Sequence, residues 1–172
     1  VLTCPTLEDA VRARMGLILA RAAGLDGMCG GQYLDMEAEG TQPSLEELTL
    51  IHGRKTAALL RAACQIGVLC AGLQPHTDAN LSAAGDYAEH LGMAFQIRDD
   101  LLDATSTTET LGKPVGSDQT NGKHTFVSLL GREDSSALVL EHTRLAQEAL
   151  KRFQGNTAFL ERLAEELAGR DH

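Results

Sequence analysis

The sequence predicts an all-α protein, a helical bundle built from amphipathic helices. Apolar residues recur at alternating steps of three and four along most of the chain, which places them on one face of an α-helix. No stretch shows a strand-like alternation that competes with this pattern. Hydrophobic residues make up 43% of the 172 residues, which is enough for a globular domain with a sizeable core. We therefore expect residues 1–172 to form a single all-α domain.

The first two helices are expected on either side of Gly24. Thr6 with Asp9 three residues later is typical of a helix N-cap, and Gly24 should end the helix that follows. A second helix is expected over residues 26–39, with Gly30 and Gly31 inside it. Each glycine weakens a helix by roughly 1 kcal/mol relative to alanine. The pair therefore indicates close packing or a bend.

Two long helices are expected next. Ser44 and Glu47 form a capping-box pattern that opens a helix over residues 44–73. Another helix should cover residues 78–104. Beside its apolar stripe runs a second stripe that begins with glycines and ends with polar groups, namely Gly85, Gly92, Gln96, Asp99 and Asp103. Because a solvated face does not need glycines, this second stripe is expected to have a functional role.

The rest of the chain is expected to be a long loop followed by two more helices. Residues 105–124 have little periodicity and several glycines, which is typical of a lid or a binding loop. Helices are predicted over residues 136–153 and 156–168.

Composition disfavours several classes of protein. The formal net charge is −9, and a chain this acidic is repelled by phosphate backbones, so we expect no nucleic-acid partner. The most apolar stretch, residues 57–73, contains Arg61 and Gln65 and is too short and too polar to span a membrane. The four cysteines show no zinc-type spacing, which suits buried, reduced thiols in a cytoplasmic protein.

Three aspartates near the end of the fourth predicted helix are candidate metal ligands. Asp99 and Asp103 lie one helical turn apart, and Asp100 flanks them. Two carboxylates about 5 Å apart repel each other by roughly 3 kcal/mol at an effective dielectric constant near 20. Nothing basic one turn on relieves this repulsion, because Arg98 projects elsewhere. A divalent cation would relieve it, and ligands limited to oxygen favour Mg²⁺, Mn²⁺ or Ca²⁺. The cluster alone is equally consistent with a solvated acidic face.

Three lysines suggest that an anion joins this metal. Lys55 interrupts an apolar stripe beside Thr56 and would suit a phosphate in a polar cavity, although a snorkelling surface lysine is the alternative. Lys113 and Lys123 lie in the glycine-bearing loop after the aspartates, where ordinary solvated lysines are the alternative. With Gln96, these residues predict a site for a metal and a diphosphate inside a helical bundle.

Five segments carry a resemblance to a known family. In chain order they are GMCGGQYLD (27–35), IHGRKT (51–56), FQIRDDLLD (95–103), LGKPVGSD (111–118) and NGK (121–123). The series resembles the trans-isoprenyl diphosphate synthases, in particular the short-chain bacterial farnesyl and geranylgeranyl diphosphate synthases. The third segment is similar to the second aspartate-rich motif of that family. The resemblance covers essentially the whole chain in order.

The resemblance implies a role for each matching residue. Asp99, Asp100 and Asp103 would bind Mg²⁺, directly or through water. Lys55, Lys113 and Lys123 would hold the allylic diphosphate, in a pocket lined also by Thr56 and Gln96. Lys55, Asp99 and Lys113 would carry the catalysis, and Asp118 and Gln32 would orient these groups. The implied reaction is the condensation of isopentenyl diphosphate with an allylic diphosphate.

One part of the family pattern is missing from the sequence. The family has a first aspartate-rich motif, followed by paired arginines, and a basic site for isopentenyl diphosphate, both earlier in the chain. Here Asp99 and Asp100 are the only adjacent aspartates. The chain begins at Val1 and resembles the C-terminal half of the bundle, so we expect it to be inactive alone.

Two other interpretations remain open at this point. The chain could be a non-catalytic partner subunit that resembles half of a synthase, or a metal-binding helical bundle without prenyl chemistry. The resemblance also implies a homodimer, whose interface could include the apolar face of residues 7–22.

Overall fold

The structure, a computed structural model, describes residues 2–72, 77–105 and 124–170, and it confirms the all-α class. No strand occurs within those ranges. The helices are α1 (Asp9–Ala23), α2 (Met28–Glu37), α3 (Leu45–His52), α4 (Ala58–Ala71), α5 (Thr77–Thr105), α6 (Phe126–Leu130), α7 (Arg132–Leu150) and α8 (Ala158–Gly169), with a π-helical segment, Gly53–Ala57, between α3 and α4.

Helix α5 is surrounded by other helices over most of its length. Its buried Tyr87 and Leu91 share a core cluster with Leu150 of α7 and Ala164 of α8. A second cluster joins its C-terminal half to α3, α6 and α7, and a third joins its N-terminal half to α1 and α4. Because α5 is packed on several sides, the aspartates near its C-terminal end sit on a fixed backbone.

Helices α1 and α2 begin about two residues later than the sequence pattern predicts. Thr6 does not cap α1, because Glu8 is the N-cap residue and the Thr6 hydroxyl lies 3.2 Å from Cys4 Sγ. Gly24 ends α1, as predicted. Helix α2 begins at Met28, since the chain must first turn closely past the end of α1.

The helix expected over residues 44–73 is interrupted by the π-helical segment. Its predicted capping box is confirmed, with Glu47 N donating to Ser44 Oγ at 3.2 Å and Ser44 N donating to Glu47 Oε2 at 2.7 Å. After α3 the backbone winds more widely over Gly53–Ala57 before α4 begins. Single π-helical turns inside longer helices are frequent at functional sites, and Lys55 and Thr56 lie in this one.

The C-terminal part has one helix more than the sequence pattern predicts. The short helix α6 precedes α7, and Gly131 separates them with a φ of +83°, which L side chains rarely adopt. Helix α7 begins at Arg132 instead of residue 136, and α8 begins at Ala158 instead of residue 156.

Two expectations drawn from composition can be compared with this fold. In the parts of the chain that the structure describes, no helix combines the length and apolarity needed to cross a membrane. The four cysteines all carry free thiols, as predicted, but the expectation that they are buried was wrong, because Cys29 and Cys70 are exposed and Cys4 and Cys64 are only partly buried.

A histidine pair links α5 to α7. Nδ1 of His90 and Nδ1 of His142 lie 3.1 Å apart, with the ring centroids 5.3 Å apart. Burial lowers the pKa of His142, and the charge on His90 lowers it further, while Glu141 opposes the shift. The folded protein therefore favours the neutral form of His142.

We expect acidification to reduce the free energy of unfolding through this pair. His142 has its ordinary pKa of 6.5 in the unfolded chain and a lower pKa in the folded protein, so the unfolded chain takes up the proton first. The contribution is complete above pH 6.5 and declines as the pH falls toward the lower folded pKa. Urea unfolding on both sides of this window should show a smaller acid-induced loss for His142→Gln than for the wild type. Equal losses would contradict the prediction.

Candidate functional site

Two glycines bring three backbones together around Lys55 and Thr56. A Cβ on Gly31 of α2 would lie 2.7 Å from Lys55 Cα, and a Cβ on Gly92 of α5 would lie 2.9 Å from Ala57 Cα. Real Cβ atoms essentially never approach other atoms this closely, so α2 and α5 both pack directly against the π-helical segment. This confirms the close packing predicted for Gly31, and it gives Gly92 of the aspartate stripe a packing role.

Lys55 is held by a carboxylate from α2. Its Nζ donates to Asp35 Oδ2 at 2.6 Å, and the two side chains are 31% and 17% exposed. Asp35 lies one helical turn after Gly31, so it faces the same neighbour. The ammonium group of Lys55 is therefore partly exposed and held by one carboxylate, and its role in phosphate binding stays a prediction.

A chain of hydrogen bonds runs from the π-helical segment across α5 to α6. The Thr56 hydroxyl donates to Gln96 Oε1 at 3.3 Å, and Gln96 Nε2 donates to Asp100 Oδ1 at 3.4 Å. The other oxygen of Asp100, Oδ2, accepts from Phe126 N at 2.9 Å. Asp100 is buried. Both of its oxygens therefore hold neighbouring protein groups in place.

Asp99 has a cationic partner from the end of the chain. Arg170 Nη2 donates to Asp99 Oδ1, and the Arg170 guanidinium carbon lies 4.0 Å from the centroid of the Phe95 ring. Arg98 donates to the Arg170 carbonyl oxygen at 2.9 Å from Nε and at 2.6 Å from Nη2. Arg98 thus points away from the aspartates, as predicted. Nothing basic lies one turn further along α5, as predicted, but Arg170, which is 71 residues further along the chain, supplies a positive charge beside Asp99.

The three aspartates differ in what they can offer a metal ion. The side chain of Asp99 is 46% exposed, whereas Asp100 and Asp103 are buried. Across residues 2–72, 77–105 and 124–170, no group of three or more His, Cys, Asp or Glu side chains is arranged to hold a metal. Carboxylate oxygens suit Mg²⁺, and Asp99 is the one of the three that presents its carboxylate to solvent. A three-aspartate metal site stays a prediction.

The other residues predicted for the site are placed as follows. Lys113, Lys123 and Asp118 lie outside the described residues. Gln32 is exposed on α2. His52, which was not predicted for the site, is buried, and its ring packs on Phe126 with the centroids 5.6 Å apart. Of the predicted set, hydrogen bonds link Thr56 to Gln96 and Gln96 to Asp100. Lys55 donates to Asp35.

A groove of about 910 Å³ runs along α1, α3 and α4. Apolar side chains such as Ile18 and Leu50 line it, together with Arg54 and Arg61. None of the predicted site residues is among its lining residues. The groove is therefore a separate feature from the aspartate site.

Two residues of the site were not predicted. Asp35 had a usable signal, because it follows Gly31 by one turn and ends the Gly-Gln-x-x-Asp segment. For Arg170 the sequence carries no signal beyond its charge, since its contact with Asp99 depends on where the end of α8 packs.

Known proteins resemble this chain over nearly its whole length. A sequence profile described as polyprenyl synthetase matches residues 7–164. The chain is 41% identical over 166 residues to the farnesyl diphosphate synthase of Geobacillus stearothermophilus, an alignment that covers 96% of this chain and 55% of the relative. For the Escherichia coli (strain K12) farnesyl diphosphate synthase, the identity is 41% over 170 residues, covering 97% and 56%. The chain thus spans about half the length of the curated relatives it matches.

Solved structures show the same likeness. A geranyltransferase from Helicobacter pylori, complexed with magnesium and isoprenyl diphosphate, superposes with a TM-score of 0.78 at 28% identity, covering 96% of this chain and 54% of that one. A polyprenyl synthase from Caulobacter crescentus CB15, complexed with calcium and isoprenyl diphosphate, gives a TM-score of 0.82 at 28% identity, covering 92% and 60%. Both relatives hold a divalent cation and a prenyl diphosphate.

Proposed function

This chain belongs to the polyprenyl synthetase family, and we propose that its protein is a prenyltransferase that condenses isopentenyl diphosphate with an allylic diphosphate. The observation that carries the proposal is the hydrogen-bond chain that runs from Thr56, the neighbour of Lys55 in the π-helical segment, through Gln96 to Asp100 of α5. The chain supplies the second aspartate-rich motif of the site. The product would be a farnesyl or geranylgeranyl diphosphate.

In this proposal Asp99, Asp100 and Asp103 hold Mg²⁺, directly or through water. The oxygen-only donor set supports Mg²⁺ over zinc, and the half-exposed Asp99 can reach a metal. When bound, Mg²⁺ supplies positive charge that stabilises the departing pyrophosphate.

Lys55, Lys113 and Lys123 hold the allylic diphosphate. Asp35 supports this role for Lys55, because it accepts one hydrogen bond from the ammonium group at 2.6 Å and leaves the other two N–H groups to donate to phosphate oxygens. Thr56, held by Gln96 at 3.3 Å, lines the same pocket. These residues act by placing positive charge and hydrogen-bond donors where negative charge develops.

The bond changes of the proposed reaction are simple to follow. The C–O bond of the allylic diphosphate breaks, and its electron pair leaves with pyrophosphate. The double bond of isopentenyl diphosphate then attacks the allylic cation, and a proton is lost from the new carbon chain. The cation requires a site that excludes water.

The oligomer, the cellular location and the activity of the chain alone are part of the same proposal. The apolar face of residues 7–22 packs inside the chain, where Met15 is buried against α4 and α5, so a homodimer would use other side chains of α1. The exposed Leu17 and Leu19 are the candidates for that interface. Four free thiols suit a reducing compartment such as the cytoplasm. Because only one aspartate-rich motif is present, we expect residues 1–172 to be inactive alone.

The test is product formation by the full-length protein. Incubated with Mg²⁺, isopentenyl diphosphate and an allylic primer, it should form a longer prenyl diphosphate, detected by mass spectrometry. If no product forms with any primer, the proposal fails. If the protein alone forms no product but changes the rate or the product length of a catalytically competent synthase on mixing, the partner-subunit alternative is favoured.

Replacing Lys55 with alanine should weaken binding of inorganic pyrophosphate to the metal-loaded protein about tenfold. A hydrogen bond to a charged group contributes roughly 1.5–3 kcal/mol, and about 1.4 kcal/mol corresponds to tenfold. Isothermal titration calorimetry measures the change. Lys151→Ala is the matched control, because Lys151 also donates to a carboxylate at 2.6 Å but lies on the surface. Equal affinities for the two variants would favour a metal-binding bundle without prenyl chemistry.

A further inference from the structure

Arg170 forms an ion pair with Asp99, the most exposed carboxylate of the aspartate cluster. Its guanidinium donates to Asp99 and lies over the Phe95 ring, while Arg98 holds its carbonyl oxygen through two hydrogen bonds. The Arg170 side chain is only 20% exposed. Three separate contacts thus bring this residue to the aspartates, just beyond the end of α8.

A guanidinium and a metal ion would compete for the same carboxylate, that of Asp99. Asp100 and Asp103 are buried, so Asp99 is the carboxylate that an arriving cation meets first. Its Oδ1 already accepts from Arg170. A divalent cation on Asp99 would lie close to the guanidinium, and the repulsion between the two positive charges would weaken the contact of Arg170 with this carboxylate.

We propose that Arg170 is the counter-ion of Asp99 in the metal-free protein and that a divalent cation displaces it on binding. The inference rests on the proposed function only in placing a metal at Asp99. Coupling between two binding events is reciprocal. Arg170 therefore lowers the metal affinity of Asp99, and the metal in turn loosens the end of α8.

The test compares metal affinity in variants of the full-length protein without substrate. Mn²⁺ is the probe, because its unbound form is counted directly by electron paramagnetic resonance. Arg170→Gln should bind Mn²⁺ roughly threefold tighter or more, in the range expected for the loss of a partly exposed ion pair. Arg162→Gln is the control, since Arg162 lies on α8, the helix that leads to Arg170, and pairs with Glu166 at 3.4 Å on the surface. It should bind Mn²⁺ like the wild type.

A second measurement needs no variant. Hydrogen exchange of the wild-type protein should show faster exchange at residues 166–170 with saturating Mn²⁺ than without it, because the metal releases the guanidinium. Unchanged or slower exchange would overturn the inference, as would unchanged or weaker Mn²⁺ binding by Arg170→Gln. Slower exchange, or weaker Mn²⁺ binding by Arg170→Gln, would mean that Arg170 supports the metal site instead of competing for it.

The outcomes separate this inference from the proposed function. A protein that makes a prenyl product, but whose Arg170→Gln variant binds Mn²⁺ like the wild type, would keep the function and overturn the competition. If the variant binds Mn²⁺ more tightly but the protein makes no prenyl product, the competition stands and the proposed function is overturned. Absence of Mn²⁺ binding in every variant would overturn the competition and remove the metal from the proposed function.

Discussion

Replacing Gly31 with alanine should lower the free energy of unfolding by about 3 kcal/mol. Overpacking a well-packed site costs typically 1–3 kcal/mol, and the upper end applies here because the obstacles are backbone atoms. The new Cβ would lie 2.7 Å from Lys55 Cα and 2.8 Å from the Arg54 carbonyl carbon. No side chain can move aside to make room, so α2 must separate from the π-helical segment. Urea unfolding followed by circular dichroism measures the loss.

A second glycine serves as the control. Gly67 lies in α4, and a Cβ there would meet nothing within 4 Å. Gly67→Ala should therefore stabilise the protein by about 0.5–1 kcal/mol, as expected for an open helical position. If Gly31→Ala proves as stable as Gly67→Ala, α2 does not depend on this close approach. Lys55 would then owe its position to Asp35 alone.

Local sequence signals predicted most of the helices. Ser44 with Glu47 and the glycine at position 24 marked ends that depend on neighbouring residues alone. The π-helical segment Gly53–Ala57 was missed, because the stripe that passes through Lys55 keeps the α-helical steps of three and four on both sides of it. Its wider turn is instead associated with contacts from α2 and α5 at Gly31 and Gly92, which are distant in sequence.

The candidate site also depends on contacts between residues that are distant in sequence. Asp99, Asp100 and Asp103 were recognised as a cluster from their spacing on one helix, and Thr56 and Gln96 as parts of one pocket. Spacing could not show that Asp100 accepts hydrogen bonds from the Gln96 side chain and from Phe126 N. It also could not show that Asp99 meets Arg170, because that contact is set by how α8 packs against α5.

Asp99→Asn should reduce kcat/KM of the full-length protein about 10²- to 10³-fold. Removal of one group that stabilises charge in a transition state typically has an effect of this size, and Asp99 is the aspartate of the cluster best exposed to a metal. The asparagine keeps the size of the side chain and removes its charge. Steady-state assays over a range of Mg²⁺ concentrations measure the change. The loss should be smaller at high Mg²⁺ if weakened metal binding is its main cause.

Asp86→Asn is the matched control for this prediction. Asp86 also lies on α5 and pairs with an arginine, since Arg152 Nη2 donates to its Oδ2 at 2.6 Å. Its side chain is 37% exposed, compared with 46% for Asp99, so the two substitutions should affect stability alike. Surface ion pairs contribute about 0–1 kcal/mol to stability, which is too little to explain a loss of activity of that size. If both variants lose activity equally, the loss is caused by destabilisation of α5, and Asp99 has no special role in holding a metal.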